Sequence, residues 1–304
     1  MSDEPSSPSL DRPATNLPDG LVLVSTPIGN LGDLGGRAQA TLQAADLVLC
    51  EDTRNTRKLA RAFAIRAPLS ALHDHNESSR IPEILRMLGQ GRRIALVSDA
   101  GTPLISDPGY RLVRAALVAG LPVSAVPGPN AALMALTLSG LPPLPFLFLG
   151  FPPPRGAARR ASFARIPTLE TSGLSATLVW HEAPHRLPAM LADLAAALGP
   201  REAAVARELT KRFEEVRRGT LGELAEHYRT SPARGEITVV VAPAAAAAVR
   251  PPAPAVEAAL SALFARGVTV RDAVARVAAE SGAPRRAVYA RALALMGISG
   301  SEPK

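Results

Sequence analysis

The chain has 304 residues, 47% of them hydrophobic, which is enough for a sizeable core in one large domain or two modest ones. Its formal charge of +7 at pH 7 favours a polyanionic partner but is mild for a dedicated nucleic-acid binder, and nearly all of its cations are arginine, with Lys58, Lys211 and Lys304 the exceptions. Cys50 is the sole cysteine, so a disulfide framework and a thiolate zinc site are excluded, no apolar run reaches the length of a membrane span, and the first twenty residues lack the apolar core of a signal peptide; the expectation is a cytoplasmic protein without a membrane partner.

Residues 1–20 are rich in Ser, Pro and Asp and read as a disordered leader. From 21 to 140, apolar strand segments at Leu21–Thr26, Leu47–Cys50, Ile94–Val97 and Val123–Val126 alternate with helical stretches at Arg37–Ala45, Thr56–Ala64, Ile81–Leu88 and Tyr110–Ala119. That alternation predicts a mostly parallel sheet with helices on both faces. Each strand runs into turn chemistry (PIGN, EDTR, SDAGTP, PGPN), so four polar loops should gather on one sheet edge and form the site. PPLP at 142–145 reads as a hinge into a second α/β domain over 141–243. Its strands are expected at Phe146–Phe151, Thr177–His181, Ala203–Glu208 and Ile237–Val241, its helices at Arg186–Leu198 and Leu221–Tyr228, with more antiparallel pairing than in the first. An Ala/Pro linker over 244–254 leads to a small helical appendage over 255–304, with three short helices and turns at Gly267 and Gly282–Pro284. A small bundle or a helix-turn-helix-like unit both fit.

The segment Ser98–Gly109, SDAGTPLISDPG, packs four turn-formers and two carboxylates behind a buried strand. It reads either as a ligand-binding loop or as an ordinary connection into a helix. The chain lacks both G-x-G-x-x-G and G-x-x-x-x-G-K-[ST], so a phosphate cradle is not favoured. A ligand carrying an adenosine without phosphates, held by backbone groups, fits better. Glu51 to Lys58, EDTRNTRK, offers a general base beside an anion-binding patch, or a capped helix with solvated cations. His73 and His75 are spaced for metal, for substrate contact or for loop structure; no other cluster completes a metal site, and no metal is expected. Trp180 and Glu182 could stack on a ring and accept from a hydroxyl or amine, or belong to the core, and Arg207–Lys211 is a strand-end turn that either faces a ligand or is solvated.

Taken in order, TPIGN (26–30), EDTRNTRKL (51–59), SDAGTPLISDPGYRLV (98–113), PGPNA (127–131), EAPHRL (182–187), ARELTKRFEE (206–215) and RGTL (218–221) resemble the ribosomal RNA small subunit methyltransferase I family, a branch of the tetrapyrrole methylase superfamily. The resemblance covers roughly residues 20 to 243. It implies a two-domain, class III S-adenosylmethionine (SAM) methyltransferase α/β fold with a small C-terminal helical appendage, acting as a homodimer with SAM between the domains. It further implies 2′-O-methylation of a cytidine in the decoding region of 16S rRNA on the assembled small ribosomal subunit. Carried over by motif, SAM contacts Pro27, Ala100, Gly101, Thr102, Ile105, Asn130 and Ala131, with Glu182 and Leu209 closing the second side. A ribose hydroxyl is a poor nucleophile, so a base or polarising cation is expected, with Asp52, Glu51 and Lys211 as candidates. Arg54, Arg57, Lys58, Arg155 and Arg186 are expected on RNA phosphates. Four features depart from the family pattern: Gly35 and Gly36 ahead of Arg37, which loosen a helix start by about 1 kcal/mol each; Asp74 in place of Glu; Asn130 in place of a smaller residue; and no Lys near Gly156, although Arg155, Arg159 and Arg160 stand close by. The alternatives are a tetrapyrrole methylase of the same superfamily, which the 4% aromatic content argues against, and a non-catalytic RNA-binding ribosome-assembly factor.

Overall fold

The computed structural model describes residues 17–244, 253–283 and 285–296; most of the expected leader and of the Ala/Pro linker lie outside them. The chain divides into two compact units, one formed by residues up to Met134 together with Leu209–Arg212, the other by Ala135–Glu208 and the chain from Phe213 onward.

The first unit alternates β1 (Leu21–Val24), α1 (Gly36–Ala44), β2 (Leu47–Cys50), α2 (Thr53–Ala62), β3 (Leu69–Ala71), α3 (Glu77–Gly89), β4 (Ile94–Val97), α4 (Tyr110–Val118) and β5 (Val123–Val126). The strands are wholly parallel, in the order β3-β2-β4-β1-β5, with Leu21 opposite both Ile94 and Val123. Their period of two divides the apolar residues between faces. Val22, Val24, Val48, Cys50, Ala95 and Val97 pack with Ala38 and Leu42 of α1 and Leu59 of α2. Leu21, Leu47, Leu49, Ile94 and Leu96 pack with Ile84 and Leu88 of α3 and Leu112 and Ala116 of α4. Helices therefore cover both faces, and strands buried on both sides need the unbroken Val/Leu/Ile runs that the sequence contains. The short β3 was not anticipated, since Leu69–Ala71 is only three residues, half-buried, at the sheet edge.

Local signals set the helix ends. Asp52 caps α2, its side chain accepting from the Arg54 N–H at 2.8 Å. Gly109 precedes α4 and has no side chain to cap with; the buried carboxylate of Glu77 in α3 accepts from the Leu112 N–H at 2.9 Å instead. Helix α1 starts at Gly36 behind Gly35 with no side-chain cap hydrogen bond.

Helix α5 (Ala131–Ser139) runs across the division between units. The second unit continues with β6 (Phe146–Phe148), α6 (Gly156–Ala164), α7 (Ile166–Thr171), β7 (Thr177–Glu182), α8 (Leu187–Leu198), β8 (Glu202–Arg207), β9 (Glu215–Thr220), α9 (Leu221–Thr230) and β10 (Ile237–Val241). Its sheet has the order β6-β7-β10-β8-β9; β6 is parallel to β7 and every other pair is antiparallel. Leu178, Trp180, Val205, Val239 and Val241 share a core with Phe163 of α6 and with Leu187, Met190, Leu191 and Leu194 of α8. Helix α9 starts on a capping box in which the Thr220 and Glu223 side chains each accept from the other's backbone N–H. Strand β9, reading EVRRGT, escaped the sequence reading because it is an edge strand with charged side chains and no apolar alternation.

Helices α10 (Ala253–Ala265), α11 (Val270–Ser281) and α12 (Arg285–Leu295) enclose their own small core of Val256, Leu260, Leu263, Ala273, Val274, Val277, Val288 and Ala292. No helix among the described residues is long and apolar enough to cross a membrane.

Two ion pairs brace the second unit: Arg159 to Asp193 at 2.7 Å, with side chains 7% and 15% exposed, and Arg201 to Glu170 at 2.5 Å. Replacing Asp193 by Ala leaves the Arg159 guanidinium buried without its carboxylate. Denaturant unfolding of Asp193→Ala should show a loss of about 3 kcal/mol. Arg160→Ala, at a side chain 63% exposed and 3.9 Å from the same carboxylate, should change stability by less than about 1 kcal/mol.

Candidate active site at the carboxyl edge of the parallel sheet

In the order β3-β2-β4-β1-β5 the neighbours β1 and β4 send their connections to opposite faces, as do β2 and β4: the chain leaves β1 toward β2 on the face of α1 and leaves β4 toward β5 on the face of α4. Ligands of open α/β sheets bind in the crevice that such a reversal leaves at the strand ends. Here the two loops are clasped. Thr26 N–H donates to the Gly101 carbonyl at 2.8 Å and Gly101 N–H donates back to Thr26 at 3.0 Å, a one-residue antiparallel bridge. Gly101 has φ of +82° and a Cβ there would stand 3.3 Å from Ile28 Cγ2, so the position requires glycine.

Side chains extend the clasp. Thr26 Oγ1 donates to Ser98 O at 3.2 Å and Ser98 Oγ donates to Gly101 O at 3.0 Å. Ser25 Oγ donates to Thr102 Oγ1 at 3.3 Å, and Thr102 Oγ1 donates to Pro129 O at 3.2 Å. Asn130, unexpected at its position, has two tasks: its Oδ1 accepts from Leu133 N–H at 3.1 Å at the start of α5, and its amide donates to Thr102 Oγ1 at 3.3 Å. The TPIGN, SDAGTP and PGPN loops thus form one network. The Ala100 and Thr102 N–H groups flank the bridge and have no hydrogen-bond partner among the described residues. In an antiparallel bridge such flanking groups point away from the partner strand, so they are available to a ligand. Ile105, 42% exposed, adds an apolar surface on the same loop.

Leu209–Arg212 belongs to this unit. Asn30 N–H donates to Thr210 Oγ1 at 3.1 Å, and a Cβ on Gly29 would stand 3.1 Å from Leu209 O and 2.8 Å from Lys211 Cε. Leu209 and Lys211, 180 residues downstream in the sequence, therefore lie beside the TPIGN loop.

Carboxylates crowd the same edge. Asp99 accepts from Asp52 N–H at 3.2 Å and from Asn55 Nδ2 at 2.9 Å. The Asp52 carboxylate caps α2 and is gripped by Arg54 Nε and Nη2, which hold its pKa down to about 2. It is a weak proton acceptor with a structural duty, so the helix-cap reading of this segment applies to Asp52. Glu51 is raised, chiefly by burial and then by Asp99. Asp107, which the sequence reading passed over, is pushed up to about 7 by burial, with the Glu51 and Asp99 charges adding to it. The signal was present as the second carboxylate of SDAGTPLISDPG, but only the fold brings Glu51 and Asp99 to it.

The remaining candidates are scattered. Arg57 and Lys58 are exposed on α2, while Arg54 is paired with Asp52. Arg155 is exposed at the start of α6, whereas Arg159, named beside it as a basic group, is buried on Asp193. Glu182 is fully buried in the second unit; it accepts from Ala183 N–H at 2.7 Å and pairs with Arg186, so Arg186 is only 22% exposed. Glu182 Oε2 and Arg186 Nε are buried without a partner among the described residues. Trp180 meets Phe163 edge-to-face at 5.8 Å inside the core. The His73 loop is organised by Asn76, whose side chain accepts from His73 N–H at 2.9 Å.

The family model for Tetrapyrrole (Corrin/Porphyrin) Methylases matches residues 20–225, and that for the RsmI C-terminal HTH domain matches residues 250–296. The chain is 45% identical over 95% of its length to Ribosomal RNA small subunit methyltransferase I of Mesorhizobium japonicum, covering 96% of that protein. It is 41% identical over 93% of its length to the protein of that name from Escherichia coli O157:H7, covering 98% of it. Among solved structures, diphthine synthase matches at a TM-score of 0.57 with 13% identity, over 73% of this chain and 90% of that one. Cobalt precorrin-4 methyltransferase, a cobalamin biosynthetic enzyme, matches at 0.55 with 16% identity, over 73% of this chain and 94% of that one. At such identities the structural likeness speaks for the fold alone.

Asp107 gives a pH signature. Its folded pKa of about 7 lies above the usual 3.8, so the folded state binds the proton more tightly, and stability contributed by this group falls as pH rises from about 4 to about 7. Thermal melts of Asp107→Asn should match wild type near pH 4 and exceed it above pH 7 by on the order of 2 kcal/mol.

Proposed function

Because this chain belongs to the ribosomal RNA small subunit methyltransferase I family within the tetrapyrrole methylases, we propose that it methylates the ribose 2′-hydroxyl of a cytidine in the decoding region of 16S rRNA. The donor is SAM, the substrate is the small ribosomal subunit, and the acting form is a cytoplasmic homodimer. The observation that carries the reading is the Thr26–Gly101 clasp, which leaves the Ala100 and Thr102 N–H groups open at the switch point. Those neutral donors, with exposed Ile105 beside them and no lysine-bearing phosphate loop, suit an adenosine without phosphates.

We assign cofactor binding to Pro27, Ala100, Gly101, Thr102, Ile105, Asn130, Ala131 and Leu209. Glu182, in the second unit, is retained on the family resemblance alone. When bound, SAM supplies an electrophilic methyl group on a sulfonium. The chain's own residues have two tasks: aligning the ribose oxygen and taking its proton. Glu51 and Asp107 are the acceptors in this reading. Their raised pKa values bring them closer to neutral pH, where a base is both ionised and driven to accept. Asp52, committed to its helix cap and to Arg54, is set aside as a base. Lys211 stands beside TPIGN as a cation able to polarise the hydroxyl. Arg57, Lys58 and Arg155 are exposed for phosphates, whereas Arg54 and Arg186 first have to leave their carboxylates.

The test is methyl transfer from radiolabelled SAM to small subunits from cells lacking the enzyme, with naked 16S rRNA and a tetrapyrrole as separate acceptors. Label at a decoding-site cytidine ribose is the expected result; label on the tetrapyrrole alone, or on no acceptor, overturns the reading. Gly101→Val should weaken SAM binding in calorimetry at least tenfold, since no branched residue sits comfortably at that φ, while the RNA affinity of the same preparation stays within about twofold. The pH–rate profile of Asp107→Asn should lose its ascending limb near pH 7.

A further inference from the structure

The C-terminal helices carry a charge pattern that their own packing does not use. Helix α12 buries Val288 and Ala292 in the three-helix core and exposes Arg285, Arg286 and Tyr289, the last at 47%. At about 100° per residue these three occupy a single arc of roughly 100° on the helix. From Ser281 to Met296 the sequence holds three arginines and no Asp or Glu. Arg291 is paired with Glu257 at 2.5 Å, and Arg276 of α11 with Glu280 at 3.0 Å. Arg285 and Arg286, by contrast, have no acidic partner among the described residues. Two adjacent guanidinium groups without a counter-charge repel each other and favour a polyanion. An exposed tyrosine beside them offers a face on which an unpaired base can stack.

The surroundings give this face a direction. Helix α11 ends at Gly282 in a left-handed conformation (φ of +66°), and three residues separate it from α12. A short glycine-containing turn between two helices is the frame in which the second helix presents its first turns to nucleic acid. In RNA the accessible targets are phosphates and unstacked bases rather than the narrow major groove.

We propose that Arg285, Arg286 and Tyr289 of α12 form a second docking surface for ribosomal RNA, holding backbone phosphates and one unpaired base and taking no part in methyl transfer. The proposal rests on the reading of the substrate as ribosomal RNA. This surface supplies affinity and leaves the chemistry to the first unit.

The experiment measures binding of the full chain to 16S rRNA and to small subunits between 50 and about 200 mM salt. It compares wild type with Arg285→Ala/Arg286→Ala, Arg285→Lys/Arg286→Lys and Tyr289→Ala. The double alanine variant should bind about tenfold more weakly, with the slope of log affinity against log salt reduced by about 1.5, the value for two lost phosphate contacts. The lysine variant should keep the slope. Tyr289→Ala should lose about tenfold in affinity with the slope unchanged. SAM affinity, melting temperature and kcat at saturating RNA should match wild type in all three, the defect appearing in KM. Wild-type affinity and slope in the double alanine variant overturn this inference and leave the methyltransferase reading standing. Failure of the wild-type chain to bind either RNA overturns the ribosomal reading itself, and this inference with it.

Discussion

The Thr26–Gly101 bridge is the constraint on which the rest of the candidate site depends. A parallel sheet of order β3-β2-β4-β1-β5 sends the connections after its neighbours β1 and β4 to opposite faces, and two loops left apart would need ordering with every ligand. The bridge joins them with two backbone hydrogen bonds, and Ser25, Ser98, Thr102 and Asn130 lock the third loop to the pair. Preorganisation also explains the residue types. A backbone that approaches this closely at positive φ needs glycine at 101, and short hydroxyl side chains can bridge loops without filling the space a ligand needs.

Around this clasp the protein concentrates negative charge at some cost to its folded state. Glu51, Asp52, Asp99 and Asp107 converge, yet their environments separate them. Asp52 is held ionised by Arg54 and the helix N-terminus, while Asp107 is driven toward the neutral acid by burial and by its neighbours. Dividing the pKa values of like groups by their surroundings is one way a fold supplies a base near neutral pH, and it supports the proposed roles of Glu51 and Asp107.

The arginine content, by contrast, overstates the surface offered to RNA. Arg159 and Arg201 brace the second unit through Asp193 and Glu170, and Arg186 is folded onto Glu182. Arg218 donates through Nε to Ser139 O at 3.0 Å and through Nη2 to Leu138 O, serving the last carbonyls of α5. These guanidinium groups answer buried carboxylates and carbonyls, which is what their fork geometry does well. The cations that remain exposed, such as Arg57, Lys58, Arg155, Arg285 and Arg286, are a subset that net charge cannot identify.

By itself the sequence determined the alternation of the first unit, because strands buried on both faces demand apolar runs and the breaks between them demand Gly, Pro and Asn. Three of its four anticipated strands there match residue for residue, and the fourth, Leu21–Thr26, ends two residues early where Thr26 turns to meet Gly101. The ordered motifs likewise determined the family. Elements with no apolar period stayed hidden: three-residue β3 and charged β9 are defined by the strands they pair with, not by their own composition. Only the tertiary structure decided roles that depend on neighbours distant in sequence. It placed Trp180 in the core, brought Lys211 to Gly29, and raised Asp107 by setting it in a half-buried position near Glu51 and Asp99. Burial and electrostatics are properties of position, and a sequence records position only after it has folded.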